Sequence, residues 1–236
     1  MNFEIIYPEI CCLFGDKANG EYLKRCLPEW NFYATGVNET PRFLSGDMDL
    51  VYICSMSEKS QQLAIEKLSS FSGVLREAFE NKKTFFLLTG NAFEIFGEGI
   101  TDEKGEKLPA LGLLGCHSKR FAPKRHNSLL LGNFEDIEVL GYTSRFSHSY
   151  AEGEQSLFEI TKGSGMNENV KYEGIKRENL WATYMLGPLL IANPLLTEKL
   201  LAKLGREKAE LPFRQALMQA YEAKLEEYKK PSLSLD

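Results

Sequence analysis

Short, mainly apolar runs alternate along this chain with stretches in which apolar residues return every third or fourth position. Phe3 to Tyr7, Asp49 to Ile53 and Thr84 to Leu88 are such runs, rich in β-branched and aromatic residues. Their lack of alternation predicts strands buried on both faces, as in a parallel sheet. Helical spacing follows them, at Glu21 to Leu27 and from Gln61 through Ser70, and again at Leu195 to Leu204, where Gly205 ends the pattern. Between Ser128 and Ile160 the period changes to two, through Leu129, Leu131, Phe134, Ile137, Val139, Tyr142, Phe146 and Leu157-Phe-Glu-Ile160. That stretch predicts a meander of strands covering one side of the sheet. Glu98 to Gly115, rich in Gly, Asp, Glu and Lys, reads as a surface loop with a new strand starting at Leu111.

The run Lys83 to Gly97 organises the rest. Thr84 to Leu88 form a strand, Thr89-Gly90-Asn91 permit a sharp reversal, and Ala92, Phe93, Ile95 and Phe96 give a following helix its core side, with Gly97 as its stop. Such an elbow lifts one side chain above the carboxyl ends of the strands, beside a helix N-terminus that favours developing negative charge. Beyond Pro212, Phe213, Leu217, Ala220, Tyr221, Leu225 and Tyr228 recur at helical intervals, with Lys and Glu opposite. They predict an amphipathic helix of about four turns, packed on its own domain or presented to a partner, before a frayed tail from Pro231 to Asp236.

Composition narrows the class. With 236 residues, 43% of them hydrophobic and 26% charged, the chain has the balance of a globular α/β protein. A net charge of −5 gives no electrostatic reason to expect nucleic acid as a partner. No apolar run has the roughly 18 residues of a membrane span, so a cytoplasmic protein is expected. Five cysteines, Cys11, Cys12, Cys26, Cys54 and Cys116, include no Cys-x-x-Cys pair, and the three histidines show no metal-ligand spacing. Neither a disulfide framework nor a metal or cofactor is expected. Cys116 is followed by His117, but neighbours on an extended segment face opposite ways, so Cys116 reads as a core or surface thiol. Thr89 reads as the residue closing the strand, and His148 as a turn or surface histidine.

Four segments together resemble one family. Leu88 to Gly97 resembles the nucleophile elbow of class I glutamine amidotransferases, an apolar strand followed by Cys-Gly-Gly-Tyr-Gln, two apolar residues and Gly. Aligning the closing glycine on Gly97 puts Phe93 on the aromatic position, Glu94 on the glutamine and Gly90 on the cysteine. Leu13-Phe14-Gly15-Asp16-x-x-Asn19 is similar to a segment of the amidotransferase subunit of lipid II isoglutaminyl synthase, a branch of the cobyric acid synthase-like amidotransferases. In that branch the residue matched by Asp16 orients the catalytic histidine; Asp16 reads equally well as a cap on the following helix. After the strand ending at Ile53 the family has Gly-Gly-Gly-Gln-Asp, two residues and Gln. Here stand Cys54, Ser55 and Met56, with Glu58 near the acidic position and Gln61 on the last. Arg145 and His148 lie, off register, where the family shows Gly-Phe-x-Asn-His.

The longest match is Tyr172 to Pro194, in which Glu173, Gly174, Asn179, Thr183, Tyr184, Gly187, Pro188, Leu189, Leu190, Asn193 and Pro194 all fall on the family block. The histidine of that block is the general base; Leu186 occupies its place, beside Met185. The resemblance covers about residues 3 to 205 and implies a flavodoxin-like, mainly parallel sheet with helices on both faces, residues 206 to 236 being an added helix and tail. It implies a remnant pocket of Ser55, Met56, Gln61, Asn91, Glu94 and Tyr184 around the altered positions Gly90 and Leu186, with Asp16 retained. Nucleophile and base act as a unit, so their joint loss implies a pseudoenzyme that binds a small molecule or a Mur-ligase-like or other synthetase subunit. Two alternatives remain open: an enzyme of altered chemistry using Asp16, Glu94 or Cys116, and an amidotransferase supplying ammonia for a peptidoglycan precursor or cobyrinic acid. The Leu13 to Asn19 segment leans toward the peptidoglycan branch.

Overall fold

The computed structural model describes residues 1–233. The chain runs β1 (Asn2–Ile6), α1 (Ala18–Cys26), β2 (Asn31–Thr35), β3 (Leu50–Ile53), α2 (Glu58–Ser69), α3 (Ser72–Glu80) and β4 (Phe85–Thr89). It continues through β5 (Gly99–Thr101), β6 (Lys107–Pro109), β7 (His117–Arg120), β8 (His126–Phe134), β9 (Ile137–Arg145), β10 (Ser147–Tyr150) and β11 (Phe158–Lys162). The last elements are β12 (Tyr172–Glu173), β13 (Ile175–Arg177), β14 (Leu180–Thr183), α4 (Leu189–Ala192), α5 (Pro194–Lys203) and α6 (Arg214–Lys229).

A six-stranded sheet in the order β13-β14-β4-β3-β1-β2 forms the centre, every pair parallel except β13 with β14. This is a flavodoxin-like arrangement, and strand order reverses between β1 and β3, where such sheets place a ligand outside the carboxyl ends. Every residue of β3 and β4 is buried, as unbroken apolar runs require. Phe43, Phe79, Phe86 and Phe96 pack together beneath the elbow, with Phe79 and Phe96 stacked at 5.4 Å. Ser57 caps α2 by accepting from Ser60 N at 3.1 Å.

Two antiparallel sheets, β10-β7-β5-β6 and β12-β11-β8-β9, form the rest. They contain the meander read from the period-two pattern, but also β5 and β6, so Glu98 to Gly115 is not a plain surface loop. Leu111 to Gly115 is not a strand: Leu111, Gly112 and Leu113 donate their N–H groups to Ile95, Gly97 and Phe96 carbonyls and wrap the elbow instead. The helix expected after the elbow is a 3-10 helix, Gly90–Phe96. Gly97 closes it because a Cβ there would press on the Cys116 carbonyl. Two matched residues of the last block are structural: Asn193 brackets the backbone of Leu140 on β9 from both sides at 2.8 Å, and Asn179 Nδ2 donates to the Phe79 carbonyl at 2.9 Å.

The C-terminal helix forms where its spacing placed it, beginning at Arg214, and its inward stripe keeps Leu217, Tyr221, Leu225 and Tyr228, gains Met218 and omits Phe213 and Ala220. Tyr221 is buried and Met218, Leu225 and Tyr228 are half-buried, and together they cover Leu131, Leu140 and Ala192, while half-buried Leu217 packs against the main core. Phe213 is 68% exposed, with a φ of +62°, and Ala220 is exposed. Both belong off the apolar face: Phe213 precedes the first turn, and Ala220 sits between the positions that meet the sheet. Of the expected tail, residues 234 to 236 lie outside the described residues.

Candidate functional site

A cavity of about 150 Å³ opens at the carboxyl ends of the parallel strands. Leu13 and Phe14 after β1, Ser55 and Met56 after β3, Gly90, Asn91 and Glu94 after β4, and Tyr184 and Leu186 after β14 wall it, with Arg125 and Arg145 beside them. The two positions that the resemblance pairs as nucleophile and base lie side by side. A Cβ placed on Gly90 would sit 3.4 Å from Leu186 Cδ2. Leu186 is itself pinned by reciprocal backbone hydrogen bonds with Tyr142, at 2.8 and 3.1 Å, and it lines the cavity where Met185 does not.

Gly90 has a positive φ, +61°, which glycine adopts without strain and a side chain would not. The space above it is taken. A Cβ there would fall 3.1 Å from Ser55 Cα and closer to Ser55 Cβ than real side chains approach. The backbone donors next to it are also engaged: Ser55 N–H donates to Asp16 Oδ2 at 3.3 Å and Met56 N–H to Asn91 Oδ1 at 3.0 Å, while Asn91 Nδ2 donates back to the Met56 carbonyl at 2.8 Å. An oxyanion needs free donors roughly 2.7–3.1 Å away, and both of these already have acceptors.

Asp16 is fully buried and does not cap α1, whose N-terminus has no side-chain cap. Its carboxylate accepts from Asn19 Nδ2 at 2.7 Å, from Ser55 N–H and from the Thr89 hydroxyl. Tyr52 OH joins the group, within 2.9 Å of Thr89 Oγ1. Burial pushes the Asp16 carboxyl up to about 6, against the pull of these donors. The helix-cap reading gives way because three interior donors converge where the loop after β1 crosses β3 and β4. Thr89 is accordingly buried as the last residue of β4, its hydroxyl turned to Asp16 and away from the cavity lining.

Glu94 is a second buried carboxylate. It accepts from Gln61 Nε2 at 2.9 Å and from Tyr184 OH at 2.7 Å. Burial raises its pKa, while those two donors and the charges of Arg120 and Arg145 pull it down. Gln61 stands behind Glu94, outside the cavity lining, and its Oε1 accepts from Arg120 Nη2 at 2.8 Å. Of the six residues expected to line the remnant pocket, Ser55, Met56, Asn91, Glu94 and Tyr184 do so.

The other candidates are elsewhere. Cys116 is buried and its thiol is pushed up to about 12 by burial and by Glu94. His117 stacks on Tyr150 at 5.0 Å. His148 is no surface histidine: it is 8% exposed on β10, its ring packed on His126 and its Nδ1 2.5 Å from Glu168 Oε2. Among the described residues no thiol or imidazole lines the cavity, and no group of three or more His, Cys, Asp or Glu could hold a metal. Arg125 was not singled out from the sequence. It lies over Phe146, 4.0 Å from the ring centre, and nothing in a lone arginine beside a proline-lysine turn signals that contact.

A sharp strand-to-helix elbow under a cavity at the strand ends of a flavodoxin-like sheet is the architecture of a glutamine amidotransferase-like domain. The description of the CobB/CobQ-like glutamine amidotransferase domain matches residues 5–194, and the chain belongs to that family. It is 27% identical over 177 residues to the GatD subunit of lipid II isoglutaminyl synthase (glutamine-hydrolyzing) from Staphylococcus aureus, covering 75% of this chain and 72% of that one. The GatD subunit from Streptococcus pneumoniae is 20% identical over 213 residues, covering 88% and 82%. PurLQS from Thermotoga maritima shares the fold at a TM-score of 0.52 with 12% identity, over 95% of this chain and 98% of the other. A glutamine amidotransferase from the same organism does so at 0.53 with 11% identity, over 98% and 99%. No helix among the described residues is long and apolar enough to cross a membrane.

Proposed function

We propose that this chain is a non-catalytic member of the family, an amidotransferase-like subunit that binds a ligase-type partner and holds a small polar molecule in the remnant cavity without hydrolysing glutamine. One observation carries the reading: Ser55 fills the space that a nucleophile's Cβ would need at position 90, while the adjacent backbone donors are bonded to Asp16 and Asn91. The alterations fit one another. A glycine at 90 tolerates Ser55, an asparagine at 91 satisfies Met56, and a leucine at 186 packs against the space between them, so the site has been rebuilt as packing. Leucine can neither accept nor deliver a proton, and no nearby imidazole replaces it. The ligase-type partner is inferred from the relatives, which are named as subunits of a synthase.

Incubation of the purified chain with glutamine, alone and with a co-purified ligase-type subunit, tests the proposal through released ammonia. No release above a buffer blank in either arm is expected, together with co-elution of the two chains. Sustained turnover by the chain alone or in the complex overturns it.

A further inference from the structure

A second cavity, of about 380 Å³, shares Arg145 with the first but is built on the antiparallel strands β8, β9 and β10. In the β8–β9 register His126 stands opposite Arg145 and Ser128 opposite Thr143, so alternation brings these four side chains to one face. His148 from β10 packs on His126 with ring centres 4.1 Å apart, and Lys124, exposed in the turn before β8, reaches the same space. Glu168 supplies the one carboxylate of the wall, held by His148 at its rim with its side chain 55% exposed.

The donors of this wall are incompletely used. Arg145 is only 5% exposed; Nη2 donates to the Gly165 carbonyl at 2.5 Å, and the guanidinium lies over the Tyr184 ring. Its Nε and Nη1 have no protein partner, nor does His126 Nε2. Buried polar atoms are almost always satisfied, and an unmet guanidinium is among the most costly exceptions. Its neighbours Glu94 and Glu173 act on it without direct hydrogen bonds, each carboxylate being engaged elsewhere. Burial, His148, Arg145 and Lys124 together push the His126 imidazole down to about 4, so this corner has a surplus of positive charge that the imidazoles do not add to.

We infer that this cavity is a binding site for a small phosphate-bearing anion, separate from the amidotransferase cavity. Donors from a guanidinium, an ammonium, a ring nitrogen and the Thr143 hydroxyl approach from three different elements, while the Ser128 hydroxyl is already engaged with the Leu129 carbonyl and the Ser164 N–H. That spread suits a tetrahedral anion with acceptors in several directions better than a planar carboxylate served by one fork. The His126, His148 and Phe121 rings supply an apolar side against which the rest of an ester can lie.

The full chain is titrated with inorganic phosphate, with glucose 1-phosphate and with malonate, following the three histidine ring signals by NMR. His117, stacked on Tyr150 outside this cavity, is the internal reference. Phosphate or the ester should move His126 and His148 together and saturably, leaving His117 in place. Tighter binding of inorganic phosphate marks the free anion as the ligand, and tighter binding of the ester marks the phosphate as the handle of a larger molecule; either supports the site. Lys124→Gln, at an exposed position, should weaken binding about tenfold without unfolding the chain, and Arg145→Gln should abolish it. Should Arg145→Gln fail to fold, Lys124→Gln and His126→Gln carry the test. The inference is overturned by absence of saturable shifts at millimolar phosphate and ester, by equal affinity for malonate, or by unchanged affinity in Lys124→Gln and His126→Gln.

Discussion

Ser55 and Gly90 are coupled through a shared volume, so their substitutions should not add. Gly90→Cys alone introduces a Cβ at positive φ into the Ser55 side chain and should cost about 1–3 kcal/mol. Adding Ser55→Gly should return part of that loss, and urea denaturation of the two single variants and the double variant gives the interaction energy directly. Independent, additive losses would show that the two residues do not compete for space. Asp16 gives a second test, in pH. Its carboxyl is raised in the folded chain, so its contribution is fully present below its ordinary value near 3.8 and is lost as pH rises through about 6. Relative to Asp16→Asn, the native chain should therefore weaken by about 2 kcal/mol between pH 4 and pH 7, read from denaturation midpoints. A flat difference would mean that the hydrogen bonds to Asp16 offset its burial, leaving no net shift.

At the scale of elements, α6 was legible as a helix because its spacing is periodic, and so was most of its inward stripe; the exposure of Phe213 and Ala220 was not, since they differ from Leu217 and Tyr221 only in what lies beneath them. Tyr221 anchors it, buried to 5% with its hydroxyl donating to the Glu138 carbonyl at 2.9 Å. Tyr221→Phe should cost about 1 kcal/mol and Tyr221→Ala about 3 kcal/mol in thermal or urea unfolding. We take residues 206 to 236 as an appendage of the domain, and ending the chain after Gly205 should lower its midpoint by uncovering Leu131, Leu140 and Ala192; an unchanged midpoint would instead make α6 a detachable partner-binding helix. The strands β3 and β4 were readable because full burial leaves unbroken apolar runs. β2 and α3 carry no such signal: Asn31–Thr35 is an edge strand with only Thr35 buried, and Ser72–Glu80 begins shortly after α2 without a side-chain cap. The elbow's 3-10 helix could not be told from an α-helix, because apolar spacing over seven residues serves both.

Across the whole molecule, the residues matched to this family hold the fold, the proposed reading is that positions 90 and 186 no longer carry its chemistry, and the thiols make that reading measurable. The candidate site was readable from motif positions that converge on one cavity, whereas the engaged backbone donors at Ser55 and Met56 and the unmet donors of Arg145 were not. Those depend on which atoms meet across the strand ends and sheet faces, a property that spacing along the chain does not encode. Of the five cysteines, Cys11, Cys26, Cys54 and Cys116 are buried, and burial raises the pKa of each; Cys12 alone is exposed, and no cysteine lines the cavity. Since the thiolate is the reactive form, a thiol reagent should modify one cysteine quickly in the native chain and all five after denaturation. Peptide mapping should place the fast site at Cys12, and glutamine should leave its rate unchanged because Cys12 is outside the cavity. A second fast thiol that glutamine protects would mean that a buried cysteine swings into the site, and the non-catalytic reading would fall with it.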